Sequence, residues 1–255
     1  MALQVDEASE AYERAMRNIA AAGPGICRVC WGFVDPSYET CFKCGHQPDS
    51  LAATVPITYS EHLGQMHLAL RNYKDASNPS IRRHDATRLA AILWRFLRDH
   101  EACVAGAAGV GGFDLVTIVP SSNPERDKHS PFAELTGWIE PIKSRLQRTL
   151  APTGEVEGRE FDANRFRPTA EMSGESVLLL DDTWTSGGHA QSAAHALTAA
   201  GAQQVALVVI GRHVRRDFEP VQGSGETCGE ILDALPADFD WATCAVHGSD
   251  RAGRV

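Results

Sequence analysis

The sequence predicts an α/β protein, a parallel sheet flanked by helices with a small zinc-ribbon-like module ahead of it. Three observations predict it. Residues 177–180 are a continuous apolar run, as in a strand buried on both faces. They lead into Asp181-Asp182, a turn of Thr, Ser and Gly, and an alanine-rich helix. Residues 114–120 and 205–210 read as two more buried strands, separated by helical spacing, so strands alternate with helices and right-handed crossovers make the sheet parallel. Finally, Cys27-x2-Cys30-x10-Cys41-x2-Cys44 has the spacing of a four-thiolate zinc site. A chain of 255 residues is long enough for one α/β domain plus such a module.

The elements follow in order. Val5, Ala8, Tyr12, Ala15, Met16 and Ile19 repeat at helical spacing up to Gly23-Pro24-Gly25, which predicts an N-terminal helix within residues 1–23. The cysteine module takes residues 24–48. Its short segments hold too little core to fold alone, so metal would supply most of the folding energy. Residues 48–56 read as a linker, and the main domain spans 55–215. Leu63, Met66, Leu70 and Tyr73 mark one helix; Ala86, Leu89, Ala90, Leu93 and Leu97 mark another, with a Gly/Ala-rich loop at 105–112. Phe132, Leu135, Ile139, Ile142 and Leu146 predict a helix that Pro141 kinks or divides. Residues 151–176 are polar, with three arginines, and read as a mobile segment or a short hairpin. Ala190, Ala193, Ala194 and Leu197 form the helix after the Asp pair, and Gly201 ends it. Residues 216–255 are an extension without a clear pattern. Its Cys228, Cys244 and His247 are one donor short of a four-ligand metal set.

Charge and composition exclude some functions. With 33 acidic against 24 basic residues the net charge is −9, which excludes nucleic-acid binding by the whole surface and leaves only a local basic patch. There is no apolar stretch long enough to cross a membrane. The chain opens with no signal-peptide pattern, and Cys103, Cys228 and Cys244 are isolated, so a reducing cytoplasm is expected. Two disulfides or a redox pair are the alternatives to zinc; two CxxC pairs at this spacing favour zinc. A site closed by four protein ligands is structural. His46 reads as a neighbour of that site rather than a ligand.

The run 177–189 carries the chemistry. Ligands of open α/β sheets collect at the carboxyl ends of the strands. Asp181 and Asp182 there can accept hydrogen bonds from vicinal sugar hydroxyls. Thr185, Ser186, Gly187 and Gly188 supply hydroxyls and backbone N–H groups with little bulk, and the next helix offers its positive end to a phosphate. No G-x-x-x-x-G-K-[ST] loop is present, which argues against an ATPase.

This run resembles the phosphoribosyl pyrophosphate (PRPP) signature of type I phosphoribosyltransferases. Asp181, Asp182, Thr185, Ser186 and Gly187 match it in register. Trp184 replaces a small aliphatic residue, and His189 stands where the family often has Thr. With the cysteine module included, the layout over residues 26–213 resembles the ComF-like, amidophosphoribosyltransferase-like family. After its Val119-Pro120 strand end, the family's Arg-Gly-Phe-Asn-like segment is replaced by Ser121-Ser122-Asn123-Pro124-Glu125-Arg126-Asp127-Lys128, which keeps positive charge.

The resemblance implies a type I phosphoribosyltransferase-like fold. The implied reaction displaces pyrophosphate from the anomeric carbon of PRPP, through an oxocarbenium-like transition state, onto a nitrogen acceptor. Mg2+ would be bound mainly through ligand oxygens and water. It further implies that Asp181 and Asp182 hold the ribose, that Thr185, Ser186, Gly187, Gly188 and His189 hold the 5′-phosphate, and that Thr183 is among the substrate-binding residues. Ser121, Ser122, Arg126 and Lys128 would meet the pyrophosphate, with Lys74 and the Arg165/Arg167 pair as further candidates; Arg212 is a weaker one. Trp184 is expected to pack beneath the turn, the alternative being a stack on a base. Two other function classes stay open. One is a non-catalytic sensor of PRPP or a nucleoside monophosphate. The other is a competence or DNA-uptake factor whose zinc module meets single-stranded DNA or a protein partner through Arg28, Trp31, Phe33, Phe42 and Lys43. A homo-oligomer is compatible with either.

Overall fold

The computed structural model describes residues 2–246. Among them are six strands: β1 (Ala53–Glu61), β2 (Leu115–Ile118), β3 (Leu150–Pro152), β4 (Phe166–Pro168), β5 (Ser176–Trp184) and β6 (Gln204–Val214). β1, β6, β5 and β2 form the central sheet in that spatial order, and every pairing is parallel. β3 and β4 make a separate antiparallel hairpin.

The topology sets the two layers around this sheet. From β2 to β5 to β6 the chain steps one way; from β1 to β2 it crosses the whole sheet the other way. Right-handed crossovers therefore put the two sets of connections on opposite faces. Strand alternation fits this. Leu178, Leu180, Ala206, Val208 and Ile210 pack with the helices Gln65–Asp75 and Pro79–Ala107. Val177, Leu179, Val205, Leu207 and Val209 pack with the helix Gly188–Ala199, the β3–β4 hairpin and the cysteine module. Apolar residues on both faces explain why 177–180 is apolar without a break. Among the described residues, no helix is long and apolar enough to cross a membrane.

Several elements differ from their sequence expectation. The N-terminal helix Ala2–Glu10 stops well before Gly23 and is followed by the short 3-10 turn Glu13–Ala15. Met16 is extended and residues 16–21 form no helix; the chain meets β1 there through Arg17 N–H to Thr58 Oγ1 (2.8 Å) and Tyr59 N–H to Arg17 O (3.3 Å). Contact with a sheet edge outweighed a helical pattern there. β1 itself begins inside the expected linker. Pro56 disguises it, but β1 is an edge strand of the sheet and tolerates a residue that lacks an N–H. The predicted helix around Pro141 is divided into Pro131–Thr136 and Glu140–Lys143. Residues 151–176 contain the hairpin alternative. The C-terminal extension holds the helix Cys228–Ala234, started by a Thr227/Glu230 capping box.

Candidate functional site

β2 ends at Ile118, opposite Leu180, while β5 continues beside β6 as far as Trp184. From Asp181 onward β5 has therefore lost one neighbour, and that flank opens into a cleft of about 670 Å³. The two carboxylates lie inside the strand rather than past its end, because β6 keeps pairing with it. Asp181, Asp182, Thr183, Thr185, Ser186, Gly187 and His189 all line this cleft, as do Ser121, Ser122, Arg126 and Lys74 from other elements.

The two aspartates differ in environment. Asp182 is buried, forms an ion pair with Lys74 and accepts a hydrogen bond from the Tyr73 hydroxyl. Both partners come from the end of the helix Gln65–Asp75. Burial works against the Lys74 ammonium, but Asp182 outweighs it and holds the Lys74 pKa above its ordinary value. Tyr73 is pushed well up by burial and by the Asp182 charge, so it stays a hydroxyl donor. Asp181 is half-buried, and its Oδ1 accepts from the Asp182 N–H at 2.8 Å. Burial first, and the Asp182 charge second, push its carboxyl up to about 8, against the pull of Lys74. A raised carboxyl in a cleft makes Asp181 a candidate functional residue.

The turn after β5 is built on Trp184, whose side chain is buried. Gly187 has φ +85°, and a Cβ there would lie 2.2 Å from Trp184 Cζ2. Only glycine lets the turn close over the indole. The helix Gly188–Ala199 starts with no side-chain cap, so its first N–H groups have no partner within the helix. Gly188 itself is packed under the backbone of residues 159–161 and does not line the cleft. The Ser186 hydroxyl donates to Arg159 O (2.9 Å), and Ser186 O accepts from Gln47 Nε2 (3.0 Å). Thr185 is left exposed to the cleft.

The loop after β2 is more tied down than the sequence suggests. Ser121 N–H donates to Asp127 Oδ1 (2.9 Å), so it is not turned to a ligand, and Asp127 is paired with Arg148. Ser122 Oγ bonds His189 Nε2 (3.1 Å) and accepts from Arg165 Nη1 (3.2 Å). These contacts stitch the two loops of the cleft together. Burial, followed by Arg165, draws the His189 pKa down, so His189 is a neutral linking group. Arg165 is buried behind the cleft, where it also donates to Glu160 O (2.8 Å) and supports that loop. Arg126 sits at the rim, paired with Asp75. Lys128 pairs with Glu125 and does not line the cleft. The exposed Arg167 does not line it either. Arg212 turns away from the cleft: its Nε donates to Cys30 O (2.8 Å) and its Nη2 reaches Cys30 Sγ (3.3 Å).

Sequence reasoning missed Tyr73 as a partner of the aspartates, and it missed Arg159, an exposed cleft residue from the 151–176 segment. It also missed His62, His67 and His213 on the cleft wall, whose ligating atoms lie within 4.8 Å of one another. Leu63 N–H donates to His67 Nδ1 (2.9 Å), which occupies that nitrogen's lone pair.

The cysteine module lies beside this site. The sulfurs of Cys27, Cys30, Cys41 and Cys44 lie within 4.8 Å of one another, and Cys30 and Cys41 are 3.8 Å apart. Tetrahedral zinc with Zn–S of about 2.3 Å sets sulfurs roughly 3.8 Å apart. The cluster therefore has the donors and spacing to hold a zinc ion. His46 is bonded to Phe42 O and stacked on the Phe42 ring, outside the cluster. Trp31 and Phe33 are buried, and Arg28 and Lys43 are in ion pairs, so of the named nucleic-acid candidates only the Phe42 ring stands exposed without one. Cys228 packs with Phe33 and Leu232, apart from Cys244, and His247 lies outside the described residues. Compared with known proteins, the chain matches no family and no curated sequence.

Proposed function

We propose that the cleft binds a 5′-phosphorylated ribose, PRPP in the first instance, and transfers its phosphoribosyl group to a nitrogen acceptor with release of pyrophosphate. One observation carries the reading: a carboxylate pair and a glycine-backed turn at a helix start share one sheet edge and one cleft. Asp181 takes the ribose hydroxyls. Asp182 orders Lys74 and Tyr73 around it rather than meeting the sugar as an equal partner. The Thr185 hydroxyl and the N–H groups of the turn receive the 5′-phosphate. Arg126 and Arg159, at the cleft's exposed side, supply charge toward the pyrophosphate.

Mg2+ suits this lining, since Asp181, Thr183 and Thr185 are hard oxygen donors, although most of its ligands would be pyrophosphate, ribose and water oxygens. When bound, it supplies charge compensation for the departing pyrophosphate. The protein's own work is to orient the sugar and to stabilise charge on the leaving group. Calorimetric titration of PRPP with Mg2+ into wild type and Asp181→Asn/Asp182→Asn tests the binding. Strong binding lost in the variant is expected, and equal affinity removes the ribose role. Pyrophosphate release in the presence of nitrogenous acceptors then separates transfer from sensing.

A further inference from the structure

The long helix Pro79–Ala107 carries His100 and Cys103 one turn apart, on the same face. Residues 236–246, which contain no helix or strand, come back to that helix. Asp240 and Asn18 exchange hydrogen bonds of 2.7 and 2.9 Å, and the Arg95 guanidinium lies over the Trp241 ring at 4.2 Å. These contacts deliver Cys244 to His100 and Cys103, and the three donor atoms fall within 4.8 Å of one another.

The imidazole is set for metal. His100 is buried at 4% exposure, and its Nε2 lies 2.7 Å from Trp241 O. A carbonyl only accepts, so Nε2 carries the proton and Nδ1 of the neutral ring keeps its lone pair. This is how metal-binding histidines are usually oriented, with one nitrogen donating to a carbonyl and the other facing the ion. That Nδ1 is 3.8 Å from Cys103 Sγ. Tetrahedral zinc, with Zn–N and Zn–S bonds of about 2.0 and 2.3 Å, places nitrogen and sulfur roughly 3.6 Å apart. One imidazole with two thiols is a donor set that suits zinc better than Mg2+ or Ca2+. Cys103 and Cys244 are not joined as a disulfide. None of the three residues lines the cleft.

We propose a second zinc site in this chain, made by His100 Nδ1, Cys103 Sγ and Cys244 Sγ, which clasps the C-terminal segment to the long helix. The clasp fixes a stretch that has no regular secondary structure of its own, as small metal sites do.

Zinc content of the full chain, purified with its thiols reduced and measured by plasma mass spectrometry, tests this. Two zinc ions per chain are expected in wild type and one in Cys103→Ser/Cys244→Ser. A single ion in wild type, or two in the variant, overturns the site. If the double variant does not fold, Cys244→Ala serves, because Cys244 follows every strand and helix described. X-ray absorption of the zinc in wild type needs no variant: a mixed sulfur and nitrogen shell is expected, and a sulfur-only shell refutes the proposal.

Discussion

Replacing Asp181 by Asn should make the protein more stable and less able to bind its ligand. The Asp181 carboxyl is raised from an ordinary value of 3.8 to about 8 by burial and by Asp182. A carboxyl whose folded value lies above its unfolded one favours the fold while it is protonated. Its contribution is complete below about pH 4 and is lost as the pH climbs toward 8. Each unit of that climb costs about 1.4 kcal/mol, a ceiling near 4 kcal/mol at neutral pH. Water reaching this half-buried group from the cleft reduces this to about 1–3 kcal/mol. Asn has no proton to lose, yet its side-chain oxygen still accepts from the Asp182 N–H. Thermal melts at pH 5 and pH 8 measure the difference. The variant should melt roughly 3–9 °C above wild type at pH 8 and close to it at pH 5. PRPP affinity should fall about 3- to 10-fold, the worth of a hydrogen bond between neutral groups. A variant that melts at or below wild type at pH 8 refutes the electrostatic argument, and unchanged affinity refutes the ribose role.

Other consequences can be checked alongside. Gly187→Ala forces an L residue into a left-handed backbone and a Cβ into the Trp184 ring, so a loss of about 2–4 kcal/mol is expected from denaturant melts, with a change in tryptophan fluorescence. Lys74→Met leaves the buried Asp182 charge with Tyr73 alone; about 2–4 kcal/mol should be lost near neutral pH, and Lys74→Met/Asp182→Asn should recover most of it in a double-mutant cycle. Arg159→Ala should weaken PRPP binding about tenfold by calorimetry with no change in melting, because the residue is exposed at the cleft. Removing metal from the four-cysteine cluster should also weaken PRPP binding, since Gln47 just beyond it holds Ser186 O; equal affinity before and after chelation would show the two to be uncoupled.

What could be read from sequence was whatever a local pattern encodes. The apolar run into Asp181-Asp182, the glycine turn and the cysteine spacing each declare themselves within a few neighbouring positions. β1 did not, because Pro56 resembles a linker residue until the strand is known to lie at a sheet edge. Arg159 and Arg165 belong to the same polar segment, and nothing local says that one faces the cleft while the other is buried behind it. Tyr73 looked like one more apolar helix position, and only the fold brings its hydroxyl to Asp182. The His62, His67 and His213 group, like His100, Cys103 and Cys244, is assembled from distant stretches, which one-dimensional spacing cannot reveal.

Both borders of the central sheet are partly covered by the chain itself. Along β1, Arg17 bonds to Thr58 and Tyr59, and Pro56 presents no amide hydrogen. Along β2, Val116 N–H donates to Arg145 O (3.0 Å) and Gln147 N–H donates to Val116 O (2.9 Å). A further strand from a second copy or a bound peptide would find few backbone groups to zip onto. Assembly through these two borders would therefore lean on side chains more than on backbone pairing, and its choice of company would be written in surface residues that can be exchanged without touching the sheet.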